Sequence, residues 1–204
     1  VRIVAISDTH GNHPDAKSMP EGDVFVHCGD FTNYGRPGEI ARFSSWLREL
    51  PYEHKIVIAG NHDLSFEDGF AGPSDLGYDV EYLRDSSVVI EGVKFFGAPW
   101  TPRFGNWAFM YDWRAAINLW GALPSDIDVL ITHGPSRGIL DTVHHGGQAG
   151  CPHLGDAIAR IRPKLHLHGH IHEAHGEVVL PHGTRVVNCA TGGSSKVAAW
   201  VGDV

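Results

Sequence analysis

Five short apolar runs rich in β-branched residues constrain this chain most: Ile3 to Ile6, Val24 to Val26, Ile56 to Ala59, Val129 to Ile131 and Leu165 to Leu167. Runs of this length and type predict buried strands. Between the second and third lies the stretch 37–50, in which Ile40, Phe43, Trp46, Leu47 and Leu50 recur at helical spacing. Pro37 suits the first turn of that helix, and Pro51 ends it. Strands alternating with helices imply a layered α/β architecture.

The rest of the chain is read in the same way. A short helix is expected within 75–85, two strands over 87–98 turning at Glu91-Gly92, and helices over 112–123 and 151–161. Three β segments follow, over 177–180, 185–188 and 197–201, separated by Pro181-His182-Gly183 and a Gly192-Gly193-Ser194-Ser195 turn. With no repeat, low-complexity tract or linker, the 204 residues are expected to form a single domain, 1–204.

Composition narrows the partners. Hydrophobic residues make up 42% and charged residues 20%, and the longest apolar runs are far too short to span a bilayer, so no membrane segment is expected. The opening Val1 to Ile6 reads as a strand, not a signal sequence, and the absence of an initiator Met is compatible with numbering or processing. Three well-separated cysteines, Cys28, Cys151 and Cys189, argue against a disulfide framework and for a reducing, cytoplasmic location. A formal charge of -8 argues against nucleic-acid polymers, whose binding requires many Lys and Arg contacts to phosphate. It leaves room for a small phosphate ester, since two divalent ions set among acids make a locally positive pocket.

Each of the five runs is followed by chemistry: Asp8-Thr9-His10, Cys28-Gly29-Asp30, Gly60-Asn61-His62-Asp63, His133-Gly134 and Gly169-His170-Ile171-His172. Ligands of open α/β sheets bind at the carboxyl ends of strands, so the fold would gather these clusters on one rim. Asp8 and His10 are two residues apart, which in an extended segment turns both to one side, and His170 and His172 repeat the spacing. Asp30, after a glycine that permits a sharp turn, is placed to face two cations at once. Carboxylate, amide oxygen and imidazole without thiolate suit transition metals better than calcium or a structural zinc site. Cys28 reads as a small buried residue.

In their order, Asp8-x-His10, Gly29-Asp30, Gly60-Asn61-His62-Asp63, His133 and Gly169-His170-x-His172 resemble the motif series of the calcineurin-like metallophosphoesterases. Gly29 to Pro37, Gly97-Ala98-Pro99-Trp100-Thr101-Pro102 and Thr132-His133-Gly134-Pro135 with Gly138-Ile139-Leu140-Asp141 resemble a narrower branch, the metallophosphoesterase-domain-containing proteins related to cyclic-nucleotide phosphodiesterases. The resemblance implies a four-layer α/β/β/α sandwich of two mixed β-sheets flanked by helices. It implies Asp8, His10 and His172 on one metal, Asn61, His133 and His170 on a second, and Asp30 bridging them. Two divalent transition-metal ions are expected, manganese first, with iron or zinc as the other candidates. Such a pair, about 3.5–4 Å apart, can share a hydroxide that attacks phosphorus in line. His62, beside the substrate-binding Asn61 and itself a substrate contact, is the expected general acid, with Asp63 orienting or charging its imidazole. The expected substrate is a small or cyclic nucleotide. A phosphomonoesterase or phosphoprotein phosphatase is the alternative, and a non-catalytic scaffold of the same fold a further one.

Of 15 histidines, His166 and His168 alternate with the His170-x-His172 pair, but Gly169 interrupts the strand, which makes them sheet histidines bonded behind the site. His27, His144, His145, His153, His175 and His182 read as ordinary polar positions. Trp100, Phe104, Trp107, Phe109, Tyr111 and Trp113 read mostly as loop packing on the core, with a base-stacking platform as the other possibility. His145 to Gln148 reads as a solvated loop, with a mobile loop lining the pocket as the other reading.

Overall fold

The computed structural model describes residues 1–194 and 197–204. In chain order its strands are β1 (Arg2–Ile6), β2 (Val24–His27), β3 (His54–Val57), β4 (Val80–Tyr82), β5 (Ser86–Ile90), β6 (Val93–Ala98), β7 (Thr101–Pro102), β8 (Met110–Tyr111), β9 (Val129–Thr132), β10 (Leu165–His168), β11 (Gly176–Val179), β12 (Arg185–Asn188) and β13 (Trp200–Asp203). The α-helices are α1 (Pro37–Glu49), α2 (Leu64–Asp68), α3 (Pro73–Leu76), α4 (Trp113–Gly121) and α5 (Pro152–Ile161).

The strands form two mixed sheets, ordered β13-β1-β2-β3-β4 and β11-β12-β10-β9-β6-β5, with β7 and β8 as a separate short ladder. Alternation along the strands explains the layers. From β1 and β2, Ile3, Ala5, Val24 and Val26 pack on Phe95, Val129, Ile131, Leu165 and Leu167 of the second sheet. Their neighbours Val4, Ile6 and Phe25 face Ile40, Phe43, Trp46 and Leu47 of α1. On the far side, Phe96, Ala98 and Leu130 meet Ala116 and Trp120 of α4 and Leu154, Ala157 and Ile158 of α5. The result is helix, sheet, sheet, helix, as expected.

β1, β2, β3 and β4 run parallel to one another, as do β6, β9, β10 and β12. Their carboxyl ends therefore open together, which brings the five polar clusters to one rim. Two expectations fail. The stretch 75–85 holds only the end of α3: Gly77, at φ 135°, stops the helix, and Val80 to Tyr82 join the first sheet by pairing with Lys55 to Val57. The last strand lies later than expected, at Trp200–Asp203, because its register is set by antiparallel pairing with Arg2 to Ala5. Gly192 and Gly193 do turn, at φ 58° and 72°, while Ser195 of that expected turn lies outside the described residues. No helix among the described residues is long and apolar enough to cross a membrane.

Candidate metal centre

The rim is not extended chain. Asp8, His10, Asp30 and His170 all have left-handed backbone, at φ 56°, 47°, 55° and 70°. That region is sparsely populated by residues other than glycine and costs on the order of 1–3 kcal/mol each. The two-residue spacing of Asp8 and His10 converges through these turns, not through strand alternation. Hydrogen bonds hold the strain: Asp8 N donates to Gly29 O and His10 N to Asp30 O, each at 3.0 Å. From the far end of the chain, Thr191 Oγ1 donates to Asp8 O at 3.0 Å and Gly193 N to the same oxygen at 2.8 Å.

Three groups of ligand atoms result, each with all its atoms within 4.8 Å: Asp8, His10 and His172; His10, Asp30 and His62; Asp30, His133 and His170. Asp8 is fully buried; Oδ2 accepts from His170 N at 2.8 Å, and Oδ1 lies 3.2 Å from His172 Nε2. Burial opposes its charge, but the His172 hydrogen bond and the neighbouring imidazoles hold it below the usual carboxylate range. Asp30 Oδ2 stands 3.2 Å from His133 Nε2 and 3.9 Å from His10 Nε2, so one oxygen faces the donors of two groups. Its other oxygen accepts from His62 N at 2.7 Å. Asn61 Oδ1 is 3.0 Å from His133 Nε2.

Two of the candidate ligand imidazoles, His133 and His10, are oriented by main-chain carbonyls. His133 Nδ1 donates to Cys28 O at 2.9 Å, which turns Nε2 inward. Burial alone would depress its pKa, but the Asp30 carboxylate outweighs it and raises the group to about 9. His10 Nδ1 lies 3.3 Å from Thr32 O. Burial draws His10 down, and His170 down to about 4, whereas the Asp8 hydrogen bond raises His172. His10 and His170 are thereby kept neutral, while His133 and His172 hold a proton against Asp30 and Asp8 that a bound cation would displace. Four imidazoles, two buried carboxylates and an amide oxygen are a donor set that fits divalent transition metals.

Backbone has to come close for this to happen. A Cβ on Gly60 would collide with Asp30 Oδ1 and lie 2.6 Å from His133 Cε1, and one on Gly169 would overlap Asp8 Oδ2 and Ser7 Oγ. Glycine at these two positions is a condition of the cluster.

His62 sits at the edge of the group. Its Nδ1 is 2.8 Å from Asn33 O, and its ring lies 4.2 Å from that of Trp107. The expectation that Asp63 orients this imidazole is corrected. Asp63 is fully buried, and its carboxylate accepts from Asp30 N, Gly60 N and Thr32 N at 2.9, 2.8 and 2.9 Å and from Thr32 Oγ1 at 2.7 Å. Burial, then the Asp30 charge, push it up to about 7, against the hydrogen bonds from Thr32 and Gly60. Asp63 thus clamps the Asp30 loop to the Asn61 loop. What orients His62 is a carbonyl, in a loop tied down by Glu39, which accepts from the backbone N–H of Asn33, Tyr34 and Arg36 at 3.1, 3.2 and 3.0 Å.

Sequence reasoning missed other supports. His27 is fully buried, not an ordinary polar position: Gly29 N donates to its Nδ1 at 3.3 Å, and its Nε2 meets Thr9 Oγ1 at 3.0 Å, between Asp8 and His10. His166 and His168 are buried behind the rim as expected, with His166 Nε2 at 2.8 Å from Thr132 Oγ1. In the aromatic stretch Phe109 and Tyr111 are core, but Phe104 and Trp113 are 57% and 49% exposed. The helical spacing of the 40–50 stretch has no counterpart there, so the sequence carried no signal to separate these uses.

The residue pattern, the paired mixed sheets and the rim cluster define a metallophosphoesterase. The chain belongs to the calcineurin-like phosphoesterase family, whose model matches residues 1–174. It is similar to metallophosphoesterase domain-containing protein 1 of Homo sapiens, 40% identical over an alignment 209 positions long, gaps included, that covers 90% of this chain and 63% of that one. A UPF0046 protein of Caenorhabditis elegans is 41% identical over an alignment 197 positions long, gaps included, that covers 86% of this chain and 70% of that one. The chain thus spans less than two-thirds of the human relative. Among solved structures, one chain aligns with a TM-score of 0.69 at 15% identity, covering 92% of this chain and 89% of that one. GAP50, the anchor in the inner membrane complex of Plasmodium, aligns with a TM-score of 0.55 at 12% identity over 94% of this chain and 72% of that one. These two likenesses concern the fold.

Proposed function

We propose that this chain is a phosphodiesterase for small phosphate esters, nucleotides among them, working with two divalent transition-metal ions, manganese first. The observation that carries the reading is Asp30 Oδ2, standing 3.9 Å from His10 Nε2 and 3.2 Å from His133 Nε2 between two clusters of donors. Asp8, His10 and His172 would hold one ion, Asn61, His133 and His170 the other, and Asp30 both. Bound in this way, divalent ions acidify water and offset charge on phosphate oxygens.

The chain's own groups supply the rest. With Nδ1–H directed at Asn33 O, the His62 imidazole keeps Nε2 as the position for a transferable proton, which protonates the leaving oxygen as water adds to phosphorus. Trp107 backs the ring, and Asp63 fixes the loops that carry Asp30 and Asn61. The three cysteines, all free and buried, suit a reducing compartment such as the cytoplasm.

Elemental analysis alongside rates on a cyclic nucleotide, a model diester and a model monoester tests this. Wild type is expected to hold two ions and to favour a diester; Asp30→Asn loses metal and turnover together. Hydrolysis without bound metal overturns the metal reading, and a strong monoester preference overturns the diester one.

A further inference from the structure

Beside the candidate centre lies a cavity of about 480 Å³, within the range of small-molecule sites, lined on one side by His170 and His172. Its other walls come from loops that the catalytic reading does not use: Phe104 and Trp113 from the aromatic stretch, Val143 and Gln148 from the loop before α5. Phe104 and Trp113 stay about half exposed at 57% and 49%, where most aromatic rings of this chain are packed away. Phe104 reaches the centre directly, its ring 5.2 Å from that of His170.

The two charged side chains on these walls are of opposite sign, and each has a partner outside the cavity. Arg103 Nε pairs with Asp112 Oδ1 at 2.9 Å, and Glu173 Oε1 accepts from His144 N at 3.1 Å. An occupant meets the apolar Phe104, Trp113 and Val143 and the Gln148 amide, with one wall charge of each sign, Arg103 and Glu173, so the walls carry no net charge and favour a planar, uncharged aromatic group over a charged one. Among the described residues, neither His62 nor its ring neighbours Trp107 and Tyr34 line the cavity. That asymmetry indicates which part of a substrate belongs there. In hydrolysis of a diester, water adds to phosphorus, one P–O bond breaks, and the departing oxygen takes a proton on the His62 side; the second ester stays on the phosphate.

We infer that this cavity is the subsite for the retained ester substituent of a phosphodiester, an uncharged aromatic group held between Phe104 and Trp113, an inference that rests on the phosphodiesterase reading. A monoester has no such substituent, so the subsite also accounts for a diester preference.

The test uses two esters with one leaving group, p-nitrophenyl phenyl phosphate and methyl p-nitrophenyl phosphate, on metal-loaded wild type, Phe104→Ala and Trp113→Ala. The phenyl-to-methyl ratio of kcat/KM is expected to fall about tenfold in each variant, a fold-change typical of losing one aromatic wall. The intrinsic reactivities of the esters cancel in that comparison. Calorimetry with phenylphosphonate and methylphosphonate provides a readout that needs no turnover: wild type binds the phenyl compound about tenfold more tightly, and the variants lose that preference. An unchanged ratio in both variants, or equal binding of the two phosphonates, overturns the subsite. Should wild type hydrolyse no ester yet retain the phenylphosphonate preference, the subsite stands and the hydrolase reading falls.

Discussion

Asp63 Oδ2 accepts the backbone N–H of Asp30 at 2.9 Å, although 33 residues separate them. The same oxygen accepts from Gly60 N at 2.8 Å, so one buried carboxylate joins the loops after β2 and β3. With His62 N donating to Asp30 Oδ1 at 2.7 Å, it helps to hold a left-handed aspartate beside the Asn61 loop. Asp63→Asn replaces one acceptor oxygen with an N–H₂ group that faces a backbone or hydroxyl donor. The expected cost is about 1–3 kcal/mol for each donor left unmet. Urea unfolding should show that loss, and elemental analysis a lower metal content; retention of both at wild-type levels would contradict the clamp.

Gly60 carries a different constraint. In Gly60→Ala the new Cβ meets Asp30 Oδ1 and N and His133 Cε1, the two side chains of one candidate metal group and its backbone. Overpacking of this kind costs about 1–3 kcal/mol and here displaces ligands instead of core. The variant should fold, by circular dichroism, while its metal affinity and turnover drop together. Full activity in the alanine variant would mean that the cluster is looser than the geometry requires.

His62 is held by Asn33 O and Trp107, outside the ligand assignments made for either ion. His62→Ala should keep both metals and lose about 10²–10⁴-fold in kcat. A proton donor matters less as the leaving group becomes more acidic, so the deficit should shrink for p-nitrophenyl esters relative to alkyl ones. Loss of metal in this variant would make His62 a ligand, as its proximity to His10 and Asp30 also permits. Glu39→Ala, which releases the 33–36 loop, should produce a milder form of the same leaving-group dependence with metal content intact.

Acid sensitivity follows from histidines behind the rim. Burial draws His27 down from 6.5 to about 3, and His166 well below 6.5. Both are therefore neutral when folded, and His166 Nδ1 is without a hydrogen-bond partner among the described residues. Below the unfolded pKa the unfolded chain takes up protons that the folded one refuses. Their stabilising effect is present in full above pH 6.5 and is lost as pH falls toward the folded values, by up to about 1.4 kcal/mol per pH unit for each histidine. Urea midpoints between pH 7.5 and 4.5 should show this slope. His27→Gln should flatten it; an identical slope in the variant would remove His27 from the account.

Chelation should destabilise the fold as well as silence it. Any ion bound only by the folded chain stabilises by mass action, about 2.7 kcal/mol at a free concentration of 100 times Kd. Thermal unfolding with and without a chelator should differ by several degrees, and added manganese should restore the difference. Coincident melting curves would argue that the carboxylates Asp8 and Asp30 serve the fold without a cation.

Much of this was legible in one dimension. The strand runs, the α1 helix with its proline boundaries, the α4 and α5 helices and the order of the donor clusters all follow from local patterning, because burial of apolar side chains sets periodicity. The missed strand β4 shows the limit. Val80 to Tyr82 have no strong pattern of their own, and pairing with β3 makes them a strand. Trp107, Phe104 and Phe109 differ in role, yet no local spacing distinguishes them.

Which atoms confront one another at the rim was decided only by the folded chain. His133 Nε2 faces Asp30 because Nδ1 is taken by a carbonyl 105 residues away, and Asp63 serves the backbone because buried N–H groups lie closer to it than the neighbouring imidazole's nitrogens. Residue order alone determined the types of donor, the strands that deliver them and the glycines that let backbones approach. Left-handed turns, tautomers and the aromatic cavity depend on hydrogen bonds and contacts between segments far apart in the chain, and such partners exist only after packing has brought them together.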